Sequence, residues 1–140
     1  MKPTKMRLLA ALFVVGLVAG WAIFTAIHSA GAAIPELSWQ SALLILLFCA
    51  LVLLTTRRVN SLPLTFVGRL VLLAKTSSHG GAIISGLYLG FALFQFPRLS
   101  GLFAQRQLWV SALDALSALT LAILGIALER QLVSRNSKNK

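Results

Sequence analysis

The sequence predicts an all-α membrane protein with four transmembrane helices and both ends in the cytoplasm. Three observations carry this prediction. Hydrophobic residues make up 58% of the 140 residues and charged residues only 11%, whereas about a quarter of a soluble domain is charged. The apolar residues gather into four segments close to the ~20 residues that cross a bilayer. The basic residues fall almost entirely in segments that would share one side of that bilayer.

The first predicted span covers about residues 8–28 and includes the uncharged run from Leu8 to Ile27. Its basic lead and the small residues of HSAGAA after it also fit a secretory signal with a cleavage site. The apolar core of such a signal has only ~7–15 residues. Because this run is longer, we expect it to be retained as a span.

The second predicted span covers about residues 38–56, and its core runs from Ser41 to Leu54. It contains Cys49, which is the single cysteine of the chain. One cysteine excludes an internal disulfide and a cysteine-rich metal site. In so apolar a run we expect a buried, unreactive thiol.

The cytoplasmic loop, residues 57–75, precedes a third span at about 76–96. Within the loop, the turn residues Asn60 to Pro63 suit a helix start, and residues 64–73 are mostly apolar. Residues 63–75 therefore form either a short interfacial helix on the cytoplasmic leaflet or an extension of span three. We favour the interfacial helix, with a hinge at the paired glycines Gly80 and Gly81.

The fourth predicted span covers about residues 107–128, and a basic cytoplasmic tail, 129–140, follows it. All four spans form one transmembrane domain, 1–140. Of the 13 Lys and Arg residues, eleven lie in the N-terminal tail, the middle loop or the C-terminal tail; only Arg98 and Arg106 do not. The positive-inside rule then puts both termini in the cytoplasm. This topology accounts for the net charge of +10 without nucleic acid, since anionic headgroups would meet these residues.

Small residues at regular spacing predict how the spans pack. Close approach of small residues drives helix association in lipid. Span three has four of them at intervals of four, and span four has a matching stripe. The predicted packing residues are Ser78, Ala82, Gly86 and Gly90 on span three, with Ala118 and Ala122 on span four. We expect span three to be central, between spans one and four; the groove can serve one chain or a homodimer, and the sequence leaves both open.

Asp114 is the main candidate for a functional polar group, because ionisable residues at membrane depth are costly. It borders the small-residue face of span four and is predicted to accept a hydrogen bond from Tyr88 at similar depth. The candidate intramembrane polar site is therefore Asp114 with Tyr88. Either it binds a proton or cation, or Asp114 is a structural residue that fastens helices together, which we favour because no second acidic residue is near.

A second candidate group lies at the cytoplasmic ends of spans three and four. Lys75 and His79 are one helical turn apart, and Glu129 ends span four. Pairing of Lys75, His79 and Glu129 would fasten these ends together. Boundary anchors of this kind are the common case, and a patch that binds phosphate or lipid is the alternative.

No catalytic, cofactor-binding or metal-binding residues are predicted. The sequence has no phosphate loop, no His-Glu-x-x-His, no Gly-x-Ser-x-Gly and no paired carboxylates, which are the patterns of common catalytic sites. We expect neither an enzyme nor a bound cofactor. The expected partners are the lipid bilayer, with anionic headgroups at the cytoplasmic face, and a second copy or another membrane protein.

The stretch GRLVLLAKTSSHGGAIISGLYLGFALFQFPRL (Gly68 to Leu99), followed by Asp114 and by ALERQL (Ala127 to Leu132), resembles an actinobacterial membrane protein family. That family is a domain of unknown function, number thirty-one eighty. The resemblance implies four transmembrane helices and a plasma-membrane location. It implies no activity and carries over no catalytic residue.

Two functions fit these expectations. The first is a small structural or accessory protein of the plasma membrane that binds membrane partners or lipids. The second is a small permease that uses Asp114 to bind a proton or solute. Four spans form a thin wall around a transport path, so we expect such a permease to be oligomeric.

Overall fold

The computed structural model describes residues 5–34, 36–58, 67–98 and 101–138. These residues form four helices and no strand, so the all-α prediction is confirmed. The helices are α1 (Met6–Ser29), α2 (Gln40–Arg58), α3 (Val67–Gln95) and α4 (Leu102–Lys138), with a single 3-10 turn at Phe96–Arg98 after α3.

Three of the helices are long and apolar enough to cross a membrane: Met6–Ser29, Gln40–Arg58 and the segment Leu102–Ser134 of α4. The third predicted span, α3, is not among them. It has the length, but its first half contains Lys75 and His79 among small and polar residues, and these lower its mean hydropathy.

The prediction of an interfacial helix over residues 63–75 is wrong for residues 67–75, the part of it that the structure describes. Residues 67–75 are the first turns of α3, which continues as a helix to Gln95. The predicted hinge is also absent, because the helix passes through Gly80 and Gly81 without a break. Leu70, Val71 and Ala74 in these turns pack against the other helices, which explains why they do not lie apart on the membrane surface. Residues 59–66, with the predicted turn, lie outside the described residues.

The helices pack in the order α1, α3, α4, α2. The central helix α3 contacts α1 on one side and α4 on the other, while α2 packs mainly on α4. A central position for α3 agrees with its glycine-rich sequence. Near the expected cytoplasmic end, one apolar cluster joins α2, α3 and α4. Its buried members are Val52, Val71, Ala74, Leu128 and Leu132.

Large apolar side chains cover the outside of α1 and α2. On α2, for example, Leu43, Leu44 and Leu47 are each 60% exposed. Exposed apolar surface of this extent on a whole helix is costly in water and normal in lipid. Both helices therefore have the surface expected of a helix that faces lipid.

Glycines bring α1 and α3 into backbone contact. A Cβ on Gly16 or Gly20 of α1 would lie 2.5 Å from the carbonyl oxygen of Ile83 or Leu87, respectively, on α3. In return, a Cβ on Gly86 of α3 would collide with the carbonyl oxygen of Phe13 on α1. The two helix backbones can lie this close only with glycine at each of these positions, because any larger side chain would overlap with the backbone of the other helix.

Candidate functional site

Asp114 lies on α4 and is fully buried. Its Oδ2 accepts a hydrogen bond of 2.8 Å from the Ser41 hydroxyl at the start of α2. The same hydroxyl lies 2.7 Å from the carbonyl oxygen of Ser38, and its single hydrogen serves one acceptor at a time. Oδ1 of Asp114 has no hydrogen-bond partner among the described residues. The described residues thus satisfy one oxygen of the carboxyl and leave the other without a donor.

Tyr88 of α3 lies beside the same pair. Tyr88 and Ser41 line the same cavity, and Tyr88 interacts electrostatically with Asp114. The two predicted residues of the polar site are therefore near each other, without a hydrogen bond between them among the described contacts. The hydrogen bond that was expected from Tyr88 to Asp114 comes from Ser41 of α2 instead.

Gln107 anchors the segment before α2 to the start of α4. Its side-chain Oε1 accepts a hydrogen bond of 3.0 Å from the Leu37 amide, and its Nε2 donates to the Leu37 carbonyl at 3.5 Å. Gln107 is 4% exposed. The Gln107 side chain thus satisfies both backbone groups of Leu37, which in a strand or turn would bond to other backbone groups.

Two further hydrogen bonds hold neighbouring helices on α4. The Ser85 hydroxyl of α3 donates to the Ala115 carbonyl at 2.9 Å. The Cys49 thiol of α2 donates to the Ser117 carbonyl at 3.5 Å. Cys49 is buried, as its position in an apolar run predicts.

The sequence-based prediction missed Gln107 and Ser85. Gln107 follows Gln105 and Arg106 and does not stand out, whereas Ser85 is an isolated polar residue in an apolar run, a signal that could have marked it as bonded to something. Sequence alone could not have identified the partners, because one partner is a backbone amide seventy positions away.

The packing residues predicted on α3 divide between two neighbours. Ser78 lies against Gly125 of α4, while Gly86 and Gly90 lie against Phe13, Leu17 and Trp21 of α1. Residues four apart on a helix differ by about 40° in their direction around the helix axis. A row with this spacing therefore turns from one neighbouring helix towards the other. Ala82, between them, is buried.

On α4, Ala118 and Ala122 are both buried, and they lie against Gly81. A Cβ on Gly81 would approach the Ala118 carbonyl oxygen and the Ala122 amide to 2.8 Å. Gly81 is therefore a packing residue and not the predicted hinge.

The candidate pairing at the other end lies on described residues. His79 Nδ1 is 2.7 Å from the Lys75 carbonyl oxygen of its own helix and 3.3 Å from the Ser78 hydroxyl. Lys75 is partly buried, and Glu129 is 3% exposed. The ring of His79 is thus engaged within α3, and the link from Lys75 to Glu129 stays a prediction.

The described residues contain no cluster that could bind a metal ion. No three His, Cys, Asp or Glu side chains among them lie close enough to share an ion.

A family model described as "Protein of unknown function (DUF3180)" matches residues 9–133. It covers all four helices except their extreme ends. No curated protein and no solved structure matches the chain.

Proposed function

We propose that this chain, which belongs to the DUF3180 family of proteins of unknown function, is a four-span plasma-membrane protein with a structural or accessory role. In this proposal both termini are cytoplasmic, and the protein binds membrane partners or lipids rather than catalysing a reaction. Three helices apolar enough to cross a membrane and the one-sided distribution of basic residues support this topology.

The position of α3 supports its assignment as a span in addition to the other three helices. Its 29 residues would extend ~43 Å at ~1.5 Å per residue, more than the ~30 Å of hydrocarbon. Several of its small and polar residues, such as Ser78, Gly81 and Gly86, lie against α1 or α4, so these need not contact lipid. A helix enclosed by neighbours can cross a membrane with a lower mean hydropathy than an exposed one.

The observation that carries the accessory role is the engagement of Asp114. Its carboxyl is fully buried and is bonded to Ser41 of another helix. A carboxyl that joins two helices in this way serves the assembly of the bundle. A proton- or ion-carrying residue needs access to water from one side at a time, and full burial argues against that.

Cysteine labelling tests the topology. In a Cys49→Ser background, Ser38→Cys should react with a membrane-impermeant thiol reagent in intact cells. Lys5→Cys and Ser134→Cys should react only after the cells are broken, because both termini are cytoplasmic. Reaction of only one of the two terminal cysteines in intact cells would indicate an odd number of spans and exclude α3 as a span.

The Asp114→Asn variant tests the role. Asn keeps the shape and can still bond Ser41, but it cannot ionise. We expect the variant to retain its thermal stability and the set of proteins that co-purify with the wild type. Proton and solute flux in vesicles should match that of wild type and of Leu113→Ala, an exposed neighbour on α4.

The second candidate is the oligomeric permease, and one observation favours it. Oδ1 of Asp114 has no partner among the described residues, and a cavity of about 550 Å³ lies beside Ser41 and Tyr88. A transported cation or proton would bind at that oxygen. Wild-type flux that is lost in Asp114→Asn would establish the permease and reject the accessory role.

A further inference from the structure

Two apolar cavities form one groove between α2 and α3. The first, of about 550 Å³, lies beside Ser41 and Tyr88 and is also lined by α1. The second, of about 370 Å³, extends to Thr76 and Gly80. Both are lined by Leu44, Ile45 and Ile84, so they adjoin each other along α3. We call them together the α2–α3 groove.

The groove exists because α2 packs mainly on α4. From Tyr88 to Thr76 it follows α3 for twelve residues, which is ~18 Å at ~1.5 Å per residue. This length is close to one leaflet, half of the ~30 Å hydrocarbon thickness. Towards the cytoplasmic end, the apolar cluster around Val52 and Val71 joins α2 to α3 and α4.

The opposite end of the groove meets a polar cavity. This cavity, of about 480 Å³, is lined by Glu36 and Arg106 among others, and it shares Leu37 with the groove. Charges of both signs thus stand at the mouth of an apolar channel. Arginine binds phosphate well because its planar fork matches the phosphate oxygens.

We propose that the α2–α3 groove binds one acyl chain of a phospholipid, with the phosphate of the headgroup on Arg106. This inference rests on the proposed membrane function and names the lipid site within it. The headgroup would lie at the outer surface, in the polar cavity, and the chain would run inward along Tyr88, Ile84 and Gly80.

The size of the groove argues against a protein helix as its occupant. A helix with its side chains is ~10 Å across, so an ~18 Å length occupies ~1,400 Å³. Even together, the two cavities of about 550 and 370 Å³ enclose less than that volume. A single hydrocarbon chain is the slender apolar group that the surrounding bilayer supplies.

Gly80 offers a way to fill the groove without disturbing the bundle. A Cβ on Gly80 would meet no atom within 4 Å, whereas one on the adjacent Gly81 would approach α4 to 2.8 Å. Gly80→Leu therefore projects a side chain into the groove alone. Gly68→Leu is the matched control, because Gly68 is on the same helix, is equally open and lies outside the groove.

The experiment is native mass spectrometry of the full-length protein, purified in mild detergent and titrated with dipalmitoyl phosphatidylglycerol. Wild type and Gly68→Leu should retain a mass shift of one lipid, and Gly80→Leu should lose it. Arg106→Gln should weaken binding roughly tenfold, the loss expected for a hydrogen bond to a charged group. Arg7→Gln, an exposed arginine at the other end of the bundle, should not.

Equal lipid retention in Gly80→Leu and wild type would overturn the proposal. So would a change of oligomeric state in Gly80→Leu with no loss of lipid, because the groove would then be an interface between two copies. Loss of flux in Asp114→Asn with lipid binding intact would reject the accessory role and leave the lipid site standing. The proposed lipid site and the proposed accessory role can therefore be rejected independently of each other.

Discussion

Replacing Gly86 with leucine is expected to separate α1 from α3 and to lower the free energy of unfolding by at least about 3 kcal/mol, the upper end of overpacking costs. A Cβ at this position would collide with the Phe13 carbonyl and lie 2.8 Å from the Leu17 amide. Both obstacles are backbone, so no rotamer change can relieve the overlap. The helices have to move apart, and the reciprocal contacts at Gly16 and Gly20 are lost with them.

The stability of Gly86→Leu is measured by denaturant titration in detergent, with helix content as the signal. Gly68→Leu makes the same substitution on the same helix in open space and should be neutral or stabilising, because leucine favours a helix over glycine. Leu47→Phe enlarges an exposed residue of α2 and should also have little effect. If all three variants unfold alike, α3 does not pack on α1 as described.

Replacing Asp114 with alanine is expected to loosen α2 from α4 and expose Cys49 to thiol reagents. Hydrogen bonds between membrane helices contribute ~0.6 kcal/mol on average and up to ~1.7 kcal/mol. A loss in this range raises the open population roughly threefold to twentyfold. Cys49 is a suitable reporter because it is the only cysteine, is buried, and lies 3.5 Å from the Ser117 carbonyl of α4.

The measurement is the rate at which a small membrane-permeant maleimide labels Cys49, which follows the population of locally opened molecules. Asp114→Asn should label at nearly the wild-type rate because the amide can still bond Ser41. Leu113→Ala removes an exposed side chain one position away and should also leave the rate unchanged. A rate in Asp114→Ala equal to that of Leu113→Ala would mean that Asp114 does not fasten α2.

Much of the polar site could be identified from the sequence, because single polar residues stand out in apolar runs. Asp114 and Tyr88 were predicted to lie at similar depth, and their electrostatic interaction agrees with that. The donor to Asp114 was not predicted correctly, since which of two nearby hydroxyls reaches a carboxyl depends on helix rotation. Rotation is set by the glycine contacts between α1, α3 and α4, and no local sequence pattern encodes it.

The loop before α3 could not be decided from composition. Residues 67–75 are apolar enough for an interfacial helix or for an extension of α3. The packing of Val71 and Ala74 against Leu128 and Leu132 decides for the extension, because burial against other helices outweighs adsorption to a surface. Gly80 and Gly81 likewise look identical in sequence, yet one faces open space and the other touches α4.

Sequence alone was enough to predict the all-α class, the four helical segments, the small residues on which they pack and the buried state of Cys49. These follow from hydropathy and periodicity, which act along the chain. Three features emerge only in the folded bundle: α2 packs mainly on α4, Ser41 bonds Asp114, and a groove remains between α2 and α3. They depend on how far each helix is rotated and displaced. In the proposed bilayer, lipid supplies no hydrophobic force between helices to constrain this, so contacts between distant residues set it.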